Sequence, residues 1–415
     1  MTVTSATRTA ATSTPVKIAL LAVGLLLIGL NLRIGVASVG PLLGPIREDL
    51  RVSSSTVSLL TTIPVVAFGA FAFVTPRLTR AIGMHRLLGV AMLALGAGIA
   101  LRLQPSLTSL FAGTLIVGAA IAVANVLMPA AIKNDFAHRA GLMMGLYSTT
   151  LFVGAALGSG LTVPLQSVTG GHWRTTLALW AIPALVAFVV WLPQTLRAPG
   201  HQPRGHDVAD APSTAGEPSL RALLTDRVAL AVTALMGTQS LAYYATLTWV
   251  PTLLQDHGMS AHDAGLMLSY SSFPGILASL VTPALARRMR PTWLPVAVSV
   301  TLCALAYLGL AIAPVSLAYL WMTLLGLGQG AAISLALSYI VWRSPDTHHT
   351  GQVSTMAQGF GYLFAGLGPI GLGALHTLTH GWGVPLLGLG ALMVLQLVVG
   401  IPASRDRHVL AAPGD

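Results

Sequence analysis

Arg33 lies in the run LLLIGLNLRIGVASVGP (residues 25–41), where no other residue is charged. A guanidinium stays ionised at any physiological pH, and placing one at the centre of a membrane helix costs roughly 2.5–3.5 kcal/mol on insertion scales. Its planar fork can grip a planar anion through two parallel hydrogen bonds, so a central solute site for an anion is the chemistry it suggests. The structural alternative is an arginine satisfied by helix-end carbonyls or reaching outward to the interface, which its central position makes hard. All twelve Asp and Glu and all twelve His can be placed in loops or at the ends of apolar runs. No acid in a neighbouring run therefore offers to neutralise Arg33.

Polar residues at helical spacing could line such a site. Gln239, Tyr243 and Thr246 share one helix face, and Ser354, Gln358 and Tyr362 share another. Asn31, Asn125, Tyr147, Tyr244 and Gln329 are further polar groups inside apolar runs. Each reads either as a substrate contact or as an interhelical hydrogen bond. Lys133, Asp135 and Arg139 follow the fourth run and are candidate gating residues. Lys133 and Asp135 read equally well as a gate ion pair or as a solvated loop pair. Catalytic motifs are absent: there are no paired intramembrane carboxylates, no metal-spaced His or Cys cluster, no phosphate loop and no supported Ser-His-Asp set. The sequence thus predicts no enzyme, no cofactor and no metal site. A pore loop or ring of charge, as a channel needs, is absent too.

The elements that must position these residues are set by composition. Hydrophobic residues make up 54% of the 415 and charged ones 8%, with a mean hydropathy of +0.77. A soluble domain carries about 25% charged residues to solvate its surface. Apolar runs long enough to cross a bilayer recur twelve times, at 16–43, 56–78, 86–103, 106–132, 139–166, 173–195, 225–254, 262–286, 292–312, 316–342, 350–375 and 382–402. Frequent Gly and Pro within them fit membrane helices, where neighbours satisfy the freed backbone. The lipid bilayer is the implied environment.

The net charge of +10 is a topology signal, and no nucleic-acid partner is expected. With the N-terminus inside, seventeen Lys and Arg fall on the cytoplasmic side, against Arg47, Arg51, Arg102 and Arg174 outside. Both termini are then cytoplasmic, in an inner (plasma) membrane. The apolar run after residue 15 is too long for a signal-peptide core and is expected to be the first helix. Cys303 reads as a small core residue, and six Trp near span ends (Trp173, Trp249, Trp293, Trp321, Trp342 and Trp382) as an interfacial belt.

One long polar stretch, 197–222, reads as a flexible linker. Across it the chain repeats weakly. Gly118, Lys133, Gly141, Leu157 and Gly158 recur 210 positions on as Gly328, Arg343, Gly351, Leu367 and Gly368. Thr75, Pro76 and Arg80 recur at a shift of 207 as Thr282, Pro283 and Arg287. The expectation is an all-α membrane protein of twelve transmembrane helices in two pseudo-symmetric six-helix bundles, with a site between them. Its parts are a disordered tail (1–15), a first bundle (16–196), the linker, a second bundle (223–403) and a C-terminal tail (404–415).

At these residues the chain resembles the cyanate/2-nitroimidazole permease family of the major facilitator superfamily. The resemblance rests on NLRIGVASVGPLL, LLTTIPVVAFGAFAFVTPRL, MPAAIKNDFAHRAGLMMGLYST and GTQSLAYYATLTWVPTLLQDHGMSAHDAGLML. It implies the major-facilitator fold, alternating access, and a small substrate such as a cyanate-like anion or a nitro-substituted heteroaromatic. It also carries the family's span-one Arg onto Arg33, its span-seven Gln onto Gln239, and the following Tyr pair onto Tyr243 and Tyr244. The superfamily's loop motif after span two is degraded, with Pro76 for its Gly, Arg80 for its Asp and Ala81 for its Arg, while Gly83 remains. A state-locking role for that acid cannot be carried over. Moving a monoanion inward against about 100 mV costs roughly 2.3 kcal/mol, so uptake needs a co-transported cation or a steep gradient. A proton is the candidate, riding with the substrate, on a tyrosine, or on a span-end acid such as Asp135 or Asp226. A monomer is expected. The alternative reading is a multidrug/proton exporter of the same superfamily, which would want an acidic cavity for cations.

Overall fold

The computed structural model describes residues 15–196 and 220–411. The expected N-terminal tail, most of the linker and the last residues of the C-terminal tail lie outside these. The described residues form α-helices and short 3-10 turns, with no strand among them. The first half holds α1 (Pro15–Ala37), α2 (Leu43–Leu50), α3 (Ser54–Ala72), α4 (Thr75–Ile82), α5 (Met84–Leu101), α6 (Leu107–Asp135), α7 (Ala140–Val168), α8 (Trp173–Leu179) and α9 (Ala181–Thr195). The second holds α10 (Leu220–Leu223), α11 (Arg227–Asp256), α12 (Ala261–Ala286), α13 (Leu294–Ile312), α14 (Ala318–Trp342), α15 (Thr347–Ala365), α16 (Leu367–Thr379) and α17 (Gly383–Ser404).

Six crossings in each half follow from these helices. Ten stretches among the described residues are long and apolar enough to cross a membrane alone, and α3 with α4, bent by 60°, makes an eleventh. The bend falls where Pro76 enters the second position of α4 and removes a backbone donor. Gly83 then ends α4 at φ +85°, a conformation open to glycine and strained for other residues, which accounts for its place in an otherwise altered loop. The twelfth crossing is α15 with α16. Its first part, THHTGQVSTMAQGFGYLFA, is too polar to face lipid. Instead α15 packs between the bundles, against α3 and α6 of the other half.

Helix starts are marked by side chains that accept an orphan backbone N–H. Ser106, Asp226, Ser260 and Asp346 cap α6, α11, α12 and α15 in this way, a contact typically worth about 1 kcal/mol. Apolar side chains such as Val163, Ile182, Leu277 and Val398 are exposed on the outside of the bundle, as a lipid-facing surface requires.

Superposing the repeat on the fold shows what several of its residues do. A Cβ on Gly158 would lie 3.2 Å from the Ile34 carbonyl oxygen, and one on Gly368 would lie 2.8 Å from that of Leu241. Ile34 and Leu241 are themselves related by the 207-residue shift, so the same helix pair crosses at the same closeness in both halves. On the face opposite the ends of the chain, Trp173 Nε1 donates to Asp49 at 3.0 Å and Trp382 Nε1 donates to Asp256 at 2.9 Å. Asp49 also takes Arg174 at 2.7 Å, whereas Asp256 has His376 at 3.8 Å. Trp173 and Trp382 are buried in these contacts, so the expected interfacial belt is partly a pair of internal clasps.

The halves meet along α7 on α12, α3 and α6 on α15, and α14 on α7. Side-chain hydrogen bonds from Arg33, Lys133, Thr149, Ser354 and Gln358 join them at the centre and toward the face that carries the start of α1 and the end of α17, the terminal face.

Candidate functional site

Arg33 projects from α1 into the junction of the halves and is almost fully buried. Its Nη1 donates to the hydroxyl of Tyr244 at 2.6 Å, across the interface. The guanidinium carbon lies 5.6 Å from the ring centre of Tyr243 and 5.8 Å from that of Tyr244. Tyr244 stands edge-on to Tyr362, with centres 6.4 Å apart, and Tyr362 edge-on to Phe68 at 5.3 Å. A charge-assisted hydrogen bond contributes about 1.5–3 kcal/mol, and a desolvated cation–π contact about 2 kcal/mol or more. Together these match the roughly 2.5–3.5 kcal/mol that a central arginine costs, so phenols do what no acid is placed to do. Tyr362 also takes a hydrogen bond from the guanidinium, so an incoming oxyanion would have to displace a phenol.

The remaining predicted residues separate into two groups. Tyr147 donates to Asn125 Oδ1 at 3.2 Å, and Gln358 Nε2 donates to the Asn125 carbonyl at 2.7 Å and to Ser354 Oγ at 2.8 Å. Ser354 in turn donates to the Val126 carbonyl at 2.7 Å. The stripe Ser354, Gln358, Tyr362 thus runs along the inter-half seam, and Tyr362 joins it to the Arg33 cluster. The span-seven stripe is divided instead. Tyr243 faces Arg33, but Thr246 meets Tyr307 at 2.9 Å and receives Gln329 Nε2 at 3.0 Å inside the second half. Gln239 bonds Ser240 and Met236 on its own helix, and Asn31 donates to the carbonyls of Leu27 and Pro183, holding α1 to α9. The structure does not bring Gln239 or Asn31 to Arg33.

Beside the guanidinium lies a void of about 10 Å³ lined by Arg33, Leu151, Phe152, Tyr243 and Ile333. Leu151, Phe152 and Ile333 had no signal in the sequence beyond apolarity. Arg102, counted among the outside residues, caps the end of α5 but is fully buried, with Nη1 3.5 Å from the Gly35 carbonyl.

At the terminal face, Lys133 and Asp135 do not pair with each other. Lys133 Nζ donates to the carbonyls of Val341 at 3.1 Å and Ser344 at 2.8 Å, at the C-terminal end of α14 in the other half. A cation there meets both the orphan carbonyls and the negative end of the helix dipole. Asp135 is 3.6 Å from His85 Nε2 and accepts from Asn134. Arg139 is exposed. Arg343, the repeat counterpart of Lys133, likewise grips a helix end, donating to the carbonyls of Ala403 at 3.2 Å and Ser404 at 3.0 Å at the close of α17. Among the described residues no cluster of His, Cys, Asp or Glu could hold a metal.

Comparison with known proteins adds four findings. Residues 21–369 match the model of the Major Facilitator Superfamily. The chain is 34% identical over 386 residues to the 2-nitroimidazole transporter of Escherichia coli K12, covering 93% of this chain and 95% of that one. It is 31% identical over 378 residues to the cyanate transport protein CynX of the same organism, covering 90% and 95%. Among solved structures, the proton:xylose symporter XylE superposes with a TM-score of 0.74 at 14% identity, over 94% of this chain and 95% of that one. That last likeness concerns the fold alone.

Proposed function

The chain belongs to the Major Facilitator Superfamily, and from that premise we propose that it moves a small anion or a planar nitro-heteroaromatic past Arg33 by alternating access. The observation that carries the proposal is the buried Arg33 guanidinium held by the phenols of a facing bundle. A positive site that lies between two bundles is accessible to either side only if the bundles rock, and an anion is what a buried guanidinium held by neutral phenols favours. The names of the 2-nitroimidazole and cyanate relatives point to the same two substrate classes.

In this reading residues 16–196 and 223–403 are the rocking units, joined by the linker 197–222. The terminal face, rich in Lys and Arg, is cytoplasmic in the inner membrane, with both termini inside and the protein acting as a monomer. Lys133, gripping the end of α14 across the seam, then closes the cytoplasmic side. Tyr243, Tyr244 and Tyr362 are the direct supports of Arg33, while Tyr147, Asn125 and Gln358 hold the seam beneath it. Asn31 and Gln239 serve helix packing. Asp135 and Arg139 border the cytoplasmic mouth.

The test is thermal stability of the purified protein against cyanate, 2-nitroimidazole and a panel of organic cations. A ligand at 100 times its dissociation constant stabilises the fold by about 2.7 kcal/mol. Stabilisation by cyanate or 2-nitroimidazole that disappears in Arg33→Ala supports the proposal. Stabilisation by cations alone, or by anions equally in Arg33→Ala, rejects it.

A further inference from the structure

Arg33 accounts for charge, but the wall opposite it accounts for nothing yet described. Apart from Arg33 and Tyr243, the void beside the guanidinium is lined by the buried apolar side chains of Leu151, Phe152 and Ile333. Its volume of about 10 Å³ is the space of one water-sized sphere. An anion that takes the guanidinium from this side must lay its remaining atoms against those three residues, and a ring enters only if one of them yields.

Ile333 is β-branched and stiff at its first torsion. Phe152 differs, because its seat has a missing wall. It belongs to α7 in the first half, yet its ring stands edge-on to Tyr243, with centres 6.4 Å apart, and against Gly275 of α12, both in the second half. A Cβ on Gly275 would lie 2.9 Å from Phe152 Cε1 and 3.0 Å from Cδ1. The notch left by Gly275 is therefore filled by the rim of that ring.

We infer that Phe152, seated in the Gly275 notch, sets the size of the anion that Arg33 accepts, the ring withdrawing from the void only as far as Gly275 allows. The inference rests on the anion reading of Arg33. It assigns selectivity between linear triatomic anions and planar rings to a residue that touches no charge. One missing or added carbon in an apolar pocket changes discrimination about tenfold or more.

The experiment measures dissociation constants of cyanate and 2-nitroimidazole for the purified full chain, in wild type, Phe152→Leu, Gly275→Ala and Arg33→Ala. Phe152→Leu should shift the ratio of affinities about tenfold toward 2-nitroimidazole, and Gly275→Ala about tenfold toward cyanate. Gly275→Ala alters the pocket from behind the ring, so a merely structural role would weaken both probes alike and leave the ratio unmoved. Ratios equal to wild type in both variants, with binding still lost in Arg33→Ala, overturn the size assignment and leave the anion site standing. Binding of neither probe by wild type removes the anion reading and this inference with it. Should Phe152→Leu fail to fold, the Gly275→Ala ratio alone decides.

Discussion

A guanidinium between two apolar bundles needs a counter-ion or a set of well-aimed dipoles, and Arg33 has the dipoles. Its hydrogen bond to Tyr244 runs from the first half to the second, so the group that would bind substrate also ties the halves together in this state. An oxyanion would compete with Tyr244 for the same N–H, which makes the phenol a placeholder for the ligand. Tyr244→Phe should therefore lower the stability of the empty protein by about 1.5–3 kcal/mol, because a charged donor loses its acceptor. The stabilisation gained on adding saturating cyanate should grow in the same variant, since the anion then restores a missing partner. Melting curves with and without cyanate test this, and an unchanged ligand shift in Tyr244→Phe would show that the phenol and the anion do not share a donor. Arg33 was legible in the sequence because a permanent charge in a long apolar run has few explanations. Its partners were legible only as polar residues at helical spacing. That spacing does not say which face of α11 meets the other half, so Tyr243 could not be separated from Gln239 and Thr246.

Elements in this fold are fixed at their ends, and Asp346 is the clearest case. It lies in the turn between α14 and α15 and accepts the backbone N–H of His349 at 2.8 Å, with the His349 ring also at 2.8 Å. Burial pushes its carboxyl up, but the His349 backbone and ring and the His348 backbone outweigh this and hold it below the ordinary 3.8. A carboxylate whose folded pKa is depressed stabilises the fold fully above its unfolded value and loses that contribution as pH falls through the folded one. Asp346→Ala should cost about 1 kcal/mol near neutral pH, and its melting temperature should converge on wild type below about pH 4. A gap that persists in acid would assign the loss to packing rather than to the cap. Helix α15 starts at Thr347, ahead of the expected apolar run at 350, and its route was not readable from the sequence. Its Ser354, Gln358 and Tyr362 depress the apolar signal, and only the contacts with Val126 and Asn125 explain why a polar helix is stable there. Arg102 misled for the opposite reason, since a charge at a span end looks solvated until α1 and α6 are seen to cover it.

At the scale of the whole molecule the two halves carry matching helices and several matching residues, and Lys133 and Arg343 show where they are not equivalent. Lys133 and Arg343 occupy equivalent positions, yet Arg343 closes its own half onto α17 while Lys133 reaches across to α14. Of the two, the Lys133 contacts are the ones that must break when the halves separate at the terminal face, together with the seam bonds of Ser354 and Gln358. Lys133→Gln should then favour the state open on that face, and a cysteine at the buried Ser354, placed in a Cys303→Ser background, should react with a maleimide about tenfold faster. Equal labelling rates would move the latch elsewhere. The same geometry bears on energy coupling. The described contacts of Arg33 are neutral phenols with no carboxylate or imidazole among them, so a monoanion bound there meets no described acid that would bring a proton with it. Translocation of that anion then carries net charge, and a potential of 100 mV acts on it with about 2.3 kcal/mol. In proteoliposomes, cyanate should accumulate toward the positive interior, roughly tenfold for each 60 mV imposed by a potassium diffusion potential. Accumulation that ignores the potential and follows a pH gradient instead would mean that a proton travels with the anion. The carrier of that proton would then have to be the substrate, a tyrosine of the Arg33 cluster, or the terminal-face acids beside Lys133.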